Sequence, residues 1–251
     1  MIHTSIRDGI ATLTLDHPPL NILTQAMLVE LRGALGQLAD DHDVRVLVVR
    51  AAGDQFSAGA DVGEHLPPRH RELIPEFVAT VRRLAEFPTP VVAAVRGRCL
   101  GGGFELVQAA DIVVAGEGAT FGQPEIRLGV SPPAACALLP GLVGPAFAAE
   151  LVLLGDIVDA ARARDAGLVG RVVPDARVDD EAHALAARMA RSSGAALRLT
   201  KRALRQGLDA RRAQALAACQ AIYLDELMRT EDAEEGLRAF LEKRTPQWTH
   251  A

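Results

Sequence analysis

The sequence predicts a layered α/β core followed by an all-helical C-terminal region. Three observations carry that expectation. Short valine-rich runs alternate with amphipathic helical segments through the first half. Two of those runs lead into glycine-containing junctions. Near the C-terminus, four amphipathic segments follow one another with only short interruptions.

The elements follow in order. Ile2–Arg7 and Ile10–Leu15 flank Asp8-Gly9, a hairpin turn signal. Thr24 is placed to cap a helix reaching about Ala39, with Met27, Leu28, Leu31, Leu35 and Leu38 on one face. Residues 44–49 form a nearly continuous apolar run, as in a strand buried on both faces. Residues 75–86 carry helical periodicity, which Pro88 and Pro90 end. Val91–Val95 and residues 111–115 are two more buried strands. This ββα-like recurrence has no clean fixed period. From about Pro132 the pattern is helical, except for an edge strand at 168–173. Residues 179–191, 195–208, 211–228 and Glu231–Leu241 make four helices, punctuated by Ser193-Gly194, Gly207 and Thr230. A soft boundary near 190 divides a core (1–190) from a helical region (191–251) too small to be stable alone.

Composition narrows the function classes. The 251 residues allow one large domain, or a core with an appendage. Hydrophobic residues make up 49% and charged residues 24%, which excludes disordered and low-complexity classes. A net charge of -5 weighs against a nucleic-acid partner. Cys99, Cys136 and Cys219 are odd in number, widely spaced and form no CxxC pair. A disulfide framework and a zinc site are therefore not expected, which fits a cytoplasmic location. MIHTSIRDGI lacks a signal peptide's basic and apolar regions. The most apolar stretch, 138–154, is broken by Pro140, Gly141, Gly144, Pro145 and Glu150, so no membrane span is expected.

Three stretches hold the candidate chemistry: Phe56-Ser57-Ala58-Gly59-Ala60-Asp61, residues 95–106 around Gly101-Gly102-Gly103, and residues 119–129 around Glu125. A glycine triplet between a strand and a helix leaves backbone amides uncovered. Taken alone it suits a tight turn as well as a ligand's close approach. It matches neither GxGxxG nor a P-loop. Glu105 and Glu125 sit in apolar surroundings beside turns, and a pair of environment-tuned carboxylates is what water activation and proton return require. No HExxH occurs, and Ser57 lacks a GxSxG context. His65 and His70 read as surface residues on a loop.

Together these stretches resemble the enoyl-CoA hydratase/isomerase, or crotonase, family. FSAGAD is similar to its first oxyanion-loop motif, VRGRCLGGGFEL to the second, and FGQPEIRLGV to the segment with the second glutamate. The likeness runs on through LPGLVG and AARARDAGLVGRVVP to AFLEKRTP. It implies an α/β spiral of ββα units, a helical trimerisation region and assembly as a homotrimer or dimer of trimers. It implies an acyl-CoA substrate, with coenzyme A entering as part of that substrate and no separate cofactor, and a place in fatty acid metabolism. Glu105 and Glu125 match the two catalytic glutamates, and the amides of Ala60 and Gly102 the oxyanion hole. Coenzyme A and substrate contacts fall on Ala58, Asp61, Val62, Leu20 and Pro133. Phe240 and Lys243 match positions that reach coenzyme A across a subunit interface. An enoyl-CoA isomerase, a thioester hydrolase and a non-catalytic or RNA-binding relative are the rivals.

Three departures stand out. Arg96 replaces the usual Asn before the second loop. Pro18 and Pro19 stand before Leu20, where a basic residue is usual. Pro132-Pro133-Ala134-Ala135-Cys136 replaces a glycine-rich stretch, a variant that resembles the cyclohexa-1,5-dienecarbonyl-CoA hydratase branch. Pro133 either starts a helix or reshapes the acyl pocket, since proline has no N–H to hold water.

Overall fold

The computed structural model describes residues 1–206 and 209–249. Its first hairpin forms as the Asp-Gly signal predicts. Strands β1 (Ile2–Arg7) and β2 (Ile10–Leu15) pair antiparallel. Asp8 and Gly9 both have positive φ, 54° and 79°, as a type I′ turn requires. Helix α1 (Gln25–Asp40) is capped by Thr24, whose Oγ1 accepts the Met27 N–H at 3.3 Å, and it buries the predicted leucine face.

Three turns of a spiral follow. Strand β3 (Val46–Ala51) leads to a single bridge at Ser57 and then to α2 (His70–Ala85). Strand β4 (Val91–Val95) leads to β5 (Arg98–Leu100) and α3 (Gly102–Gln108). Strand β6 (Ile112–Gly116) leads to β7 (Thr120–Gly122) and α4 (Pro133–Val143). The first strand of each unit enters a large sheet, while β5 and β7 enter a small one that Ser57 joins by a single bridge. Helix α5 (Pro145–Leu154), β8 (Ile157–Asp159), α6 (Ala160–Asp165), β9 (Arg171–Val173) and α7 (Val178–Ala190) complete the layers. The large sheet runs β1-β2-β3-β4-β6-β9, parallel from β2 onward. The small one runs β5-β7-β8.

The continuous valine runs are explained by cover on both faces. Leu47, Val49 and Ala93 point into the main core with α1 and α2. Val46, Val48, Val92 and Val114 pack against Val178, Ala182 and Ala186 of α7. Asp179 holds α7 in place, pairing with Arg50 at 2.8 Å and Arg96 at 3.0 Å. Arg96, where the family motif has Asn, thus belongs to the α7 anchor.

Beyond residue 190 lie α8 (Gly194–Arg205), α9 (Asp209–Ala221), a π-turn (Ile222–Glu226), a 3₁₀ turn (Leu227–Arg229) and α10 (Glu231–Leu241). Helix α8 is tied to the sheet by Lys201 and Arg205, which reach the two oxygens of Asp111 at 2.7 and 2.5 Å. Helix α9 packs on α4 and α2, and α10 packs on the turns that carry His65 and Glu125.

Several expectations need correcting. Strands β5, β7 and β8 were not predicted: each has only three residues, too few to show periodicity. Helix α2 begins at His70 rather than at Pro75, which lies inside it, and His70 is buried instead of at the surface. The edge strand is confined to Arg171–Val173. The helix predicted to reach Met228 stops at Ala221. The predicted break at Gly207 and helix end at Leu208 lie outside the described residues.

Candidate active site

The two loop motifs converge because strand pairing brings them together. Ser57 bridges Cys99 in parallel, which lays Ala58-Gly59-Ala60 beside the glycine triplet. Gly59 O accepts from Leu23 N at 2.9 Å, and Asp61 N donates to Leu23 O at 3.0 Å. Amides alternate sides along an extended chain, so Ala60 turns its own N–H the other way. Gly102 opens α3, where an N–H has no intrahelical acceptor. Among the described residues, neither N–H has an acceptor. A Cβ placed on Gly102 would lie 3.4 Å from the Ala60 Cβ and 3.0 Å from Phe77 Cε2.

Gly101 adopts φ 50° and comes so near Glu125 that a Cβ there would meet Oε1 at 2.6 Å. That contact is what the first glycine of the triplet permits. Glu105 follows one helical turn on. Its Oε1 accepts the Ala134 N–H at 2.7 Å and the Ala135 N–H at 2.9 Å, the first free amides after Pro132-Pro133. Its Oε2 has no hydrogen-bond partner among the described residues. Glu125 rides on a 3₁₀ turn (Pro124–Leu128), preceded by the fully buried Gln123. In the amide orientation that satisfies its neighbours, Gln123 Nε2 donates to both Glu125 oxygens at 3.1 Å. Its Oε1 accepts from Gln108 Nε2 at 2.8 Å.

Both carboxylates line one cavity of ≈ 410 Å³ with Ala60, Gly102, Phe77, Pro133 and Leu237 among its walls. Burial pushes the Glu105 pKa up to about 7, against the pull of the two amide hydrogen bonds. Burial and the nearby Glu105 charge push Glu125 well above the usual carboxylate range. The surrounding thiols and phenol are also raised by burial: Cys136 to about 12, Cys219 and Tyr223 upward. Among the described residues, no group of three His, Cys, Asp or Glu side chains is placed to hold a metal ion.

The predicted residues divide into two sets. Glu105, Glu125, Ala60, Gly102, Ala58, Val62, Pro133 and Phe240 line the cavity. Leu20, Asp61 and Lys243 do not. Leu20 uses its carbonyl to hold the Ala58 N–H at 2.9 Å. Asp61 caps the turn Val62–His65, its Oδ1 accepting from Glu64 N at 3.0 Å. Lys243 is exposed beyond α10. Phe240 reaches the cavity of its own chain.

The model of the family described as enoyl-CoA hydratase/isomerase matches residues 5–251. The chain belongs to that family. It is 41% identical over 246 residues to a cyclohexa-1,5-dienecarbonyl-CoA hydratase of Thauera aromatica, covering 96% of this chain and 94% of the relative. It is 39% identical over 250 residues to a 2,3-dehydroadipyl-CoA hydratase of Escherichia coli K12, covering 97% and 96%. Among solved structures, an enoyl-CoA hydratase/isomerase from Pseudoalteromonas atlantica T6c superposes with a TM-score of 0.90 at 30% identity, over 99% of both chains. One from Xanthobacter autotrophicus Py2 gives 0.88 at 36% identity, over 97% of this chain and 96% of that one. The expected crotonase fold is therefore the one this hydratase/isomerase family member has.

Within this family member, four further side chains near the cavity lie outside the predicted set. His65 lines the cavity rather than the surface, its Nδ1 held by the Asp61 carbonyl at 2.8 Å, and burial lowers its pKa. Tyr223 is fully buried beside it, with ring centroids 6.3 Å apart and a hydroxyl that has no partner among the described residues. Gln108 and Gln123 form the amide relay to Glu125. A signal existed for two of them: Gln108 lies one turn beyond Glu105, and Gln123 lies two residues before Glu125. Nothing in the sequence pointed to Tyr223, which comes from a distant helix.

Proposed function

We propose that the protein reversibly hydrates an unsaturated acyl-CoA thioester. The observation that carries this reading is the pairing of a buried Glu105 and a half-buried Glu125 with contrasting partners, on one cavity, beside two amides that have no acceptor among the described residues. The thioester oxygen would accept from Ala60 N–H and Gly102 N–H, which offset the charge of the developing enolate. Glu105, pinned through Oε1, would take the water proton on Oε2 as the oxygen attacks the β-carbon. Glu125, the more strongly raised of the two, would give its proton to the α-carbon. One O–H and one C–H are exchanged with the carboxyls, and the overall change is addition of water.

Two facing carboxylates favour this over an isomerase or a thioester hydrolase, and the acidic balance of the chain disfavours an RNA-binding role. We assign coenzyme A contacts to Ala58, Asp61, Val62, Phe240 and Lys243, with Leu20 holding the Ala58 loop. No cofactor beyond the substrate's coenzyme A is required. A cytoplasmic homotrimer or dimer of trimers fits the helical 191–251 region. Exposed Leu153 (66%), Leu154 (58%) and Ile157 (50%) leave an apolar edge that a second copy would cover.

The acyl group we assign is cyclic or bulky and conjugated. Pro132 and Pro133 bring no N–H to the cavity rim, and the Ala134 and Ala135 amides are spent on Glu105, so the attacking water is held by carboxylates alone. The Thauera aromatica relative supports the same choice. A spectrophotometric screen of short, branched and cyclic enoyl-CoA thioesters tests it. Cyclic dienoyl-CoA turning over faster than crotonyl-CoA is the expected outcome. Crotonyl-CoA faster than every cyclic or branched thioester would overturn the cyclic assignment, and no hydration of any would overturn the hydratase reading.

A further inference from the structure

Gln108 is almost completely buried as the last residue of α3. Its Nε2 donates to Gln123 Oε1 at 2.8 Å, while its own Oε1 is buried with no partner among the described residues. A buried amide oxygen without a partner costs free energy. Leucine or methionine would fill the space without that cost. The side chain therefore returns little to the fold beyond the bond it makes to Gln123.

That bond has a direction. With Oε1 engaged by Gln108, Gln123 presents Nε2 to both oxygens of Glu125. The reverse orientation would set Oε1 against Glu125 and Nε2 against the Gln108 amide. A protonated Glu125 would then spend its O–H on Gln123 instead of aiming it at the cavity. The donating orientation also supports the carboxylate left once the proton has gone, because hydrogen bonds to an ionised carboxyl favour that form and aligned bonds reinforce one another.

We propose that Gln108 is a positioning residue for the hydration reaction: it acts through Gln123 to keep a donor on Glu125, so that the carboxyl is aimed and its ionised form supported as the proton leaves. This rests on the reading of Glu125 as the proton donor. The other titratable groups around the two glutamates are each other, Cys136 on α4, Cys219 on α9 and Tyr223 in the π-turn. His65 also lines the cavity, and Arg127 on the Glu125 turn is paired with Asp156 at 3.1 Å.

The test is a double-mutant cycle on the best thioester substrate of the wild-type enzyme, with thermal melts to confirm folding. Gln108→Met is expected to lower kcat roughly 5- to 10-fold with KM little changed. It should also move the alkaline limb of kcat to higher pH, since Glu125 loses a donor that favours ionisation. In a Gln123→Met background the same substitution should add almost nothing. A wild-type kcat and limb, or an equal loss in both backgrounds, would overturn the proposal. Should Gln108→Met fail to fold, the wild type itself serves. The selectively ¹⁵N-labelled Nε2 resonances of Gln108 and Gln123 should shift together as the glutamate pair titrates, and stationary resonances would refute the relay. This second readout needs no turnover, so it separates a failed relay from a failed hydratase reading.

Discussion

Glu105 Oε1 accepts the N–H of Ala134 at 2.7 Å across 29 residues of sequence. One contact joins the helix that opens at the glycine triplet to the helix that opens at Pro133. The proline pair has no N–H to offer, so Ala134 and Ala135 supply the first free amides of α4, and both go to a single carboxylate oxygen. The second oxygen stays available to a reactant. Of the two readings of Pro132-Pro133, the helix start is the one observed, and the first free amides of that helix hold Glu105.

Removing either carboxylate should disable turnover without unfolding the chain. Glu105→Gln and Glu125→Gln are each expected to lower the hydration rate by roughly 100-fold or more. Steady-state assays beside far-UV circular dichroism check this. Both variants running at the wild-type rate would refute the two-glutamate mechanism.

The buried base should leave a mark on the pH dependence of both rate and stability. Glu105 must be ionised to accept a proton, so kcat/KM is expected to rise with pH through about 7 rather than through 4.5. Stability should move the other way. A carboxyl whose pKa rises from 4.5 to about 7 on folding holds more proton in the native state between those values. Its contribution to stability is therefore present at low pH and lost as pH rises through that window. The full cost of the ionised buried form is on the order of 3 kcal/mol. Glu105→Gln should accordingly melt above the wild type at pH 8, with the gap closing near pH 4.5. Scanning calorimetry at the two pH values decides it.

The glycine triplet should respond position by position. Alanine at 101 meets Glu125 Oε1 at 2.6 Å and takes a positive φ, so Gly101→Ala should both destabilise the fold by about 1–2 kcal/mol and abolish most activity. Gly102→Ala presses on Phe77 at 3.0 Å without a positive φ. It should melt near the wild type but lose roughly 10-fold or more in kcat as the two amides are pushed apart. Denaturant titrations paired with kinetics separate the two effects, and equal behaviour of both variants would contradict this division.

Assembly gives the fourth prediction. Light scattering at micromolar concentration should return three or six times the 26.6 kDa chain mass. A mass of one chain would refute the trimer-based assembly assigned to the helical region.

Local patterns alone were enough for the β1–β2 hairpin, α1 and its Thr24 cap, β4 and α10, because each is specified by neighbours in sequence: a turn dipeptide, a cap, an apolar period. The same holds for the candidacy of Glu105, Glu125 and the glycine triplet, whose motifs are contiguous. The small sheet was hidden because three-residue strands carry no period and form only when the spiral lays them side by side. His70 looked like a surface residue because its burial depends on α2 starting five residues before Pro75. Tertiary structure alone decided how the carboxylates differ. Ala134 and Ala135 come to Glu105 from a separate helix, and Gln108 comes to Gln123 across the interior. Hydrogen bonding and desolvation are set by groups within a few ångströms in space, and these pairs lie 15 to 30 residues apart in the chain.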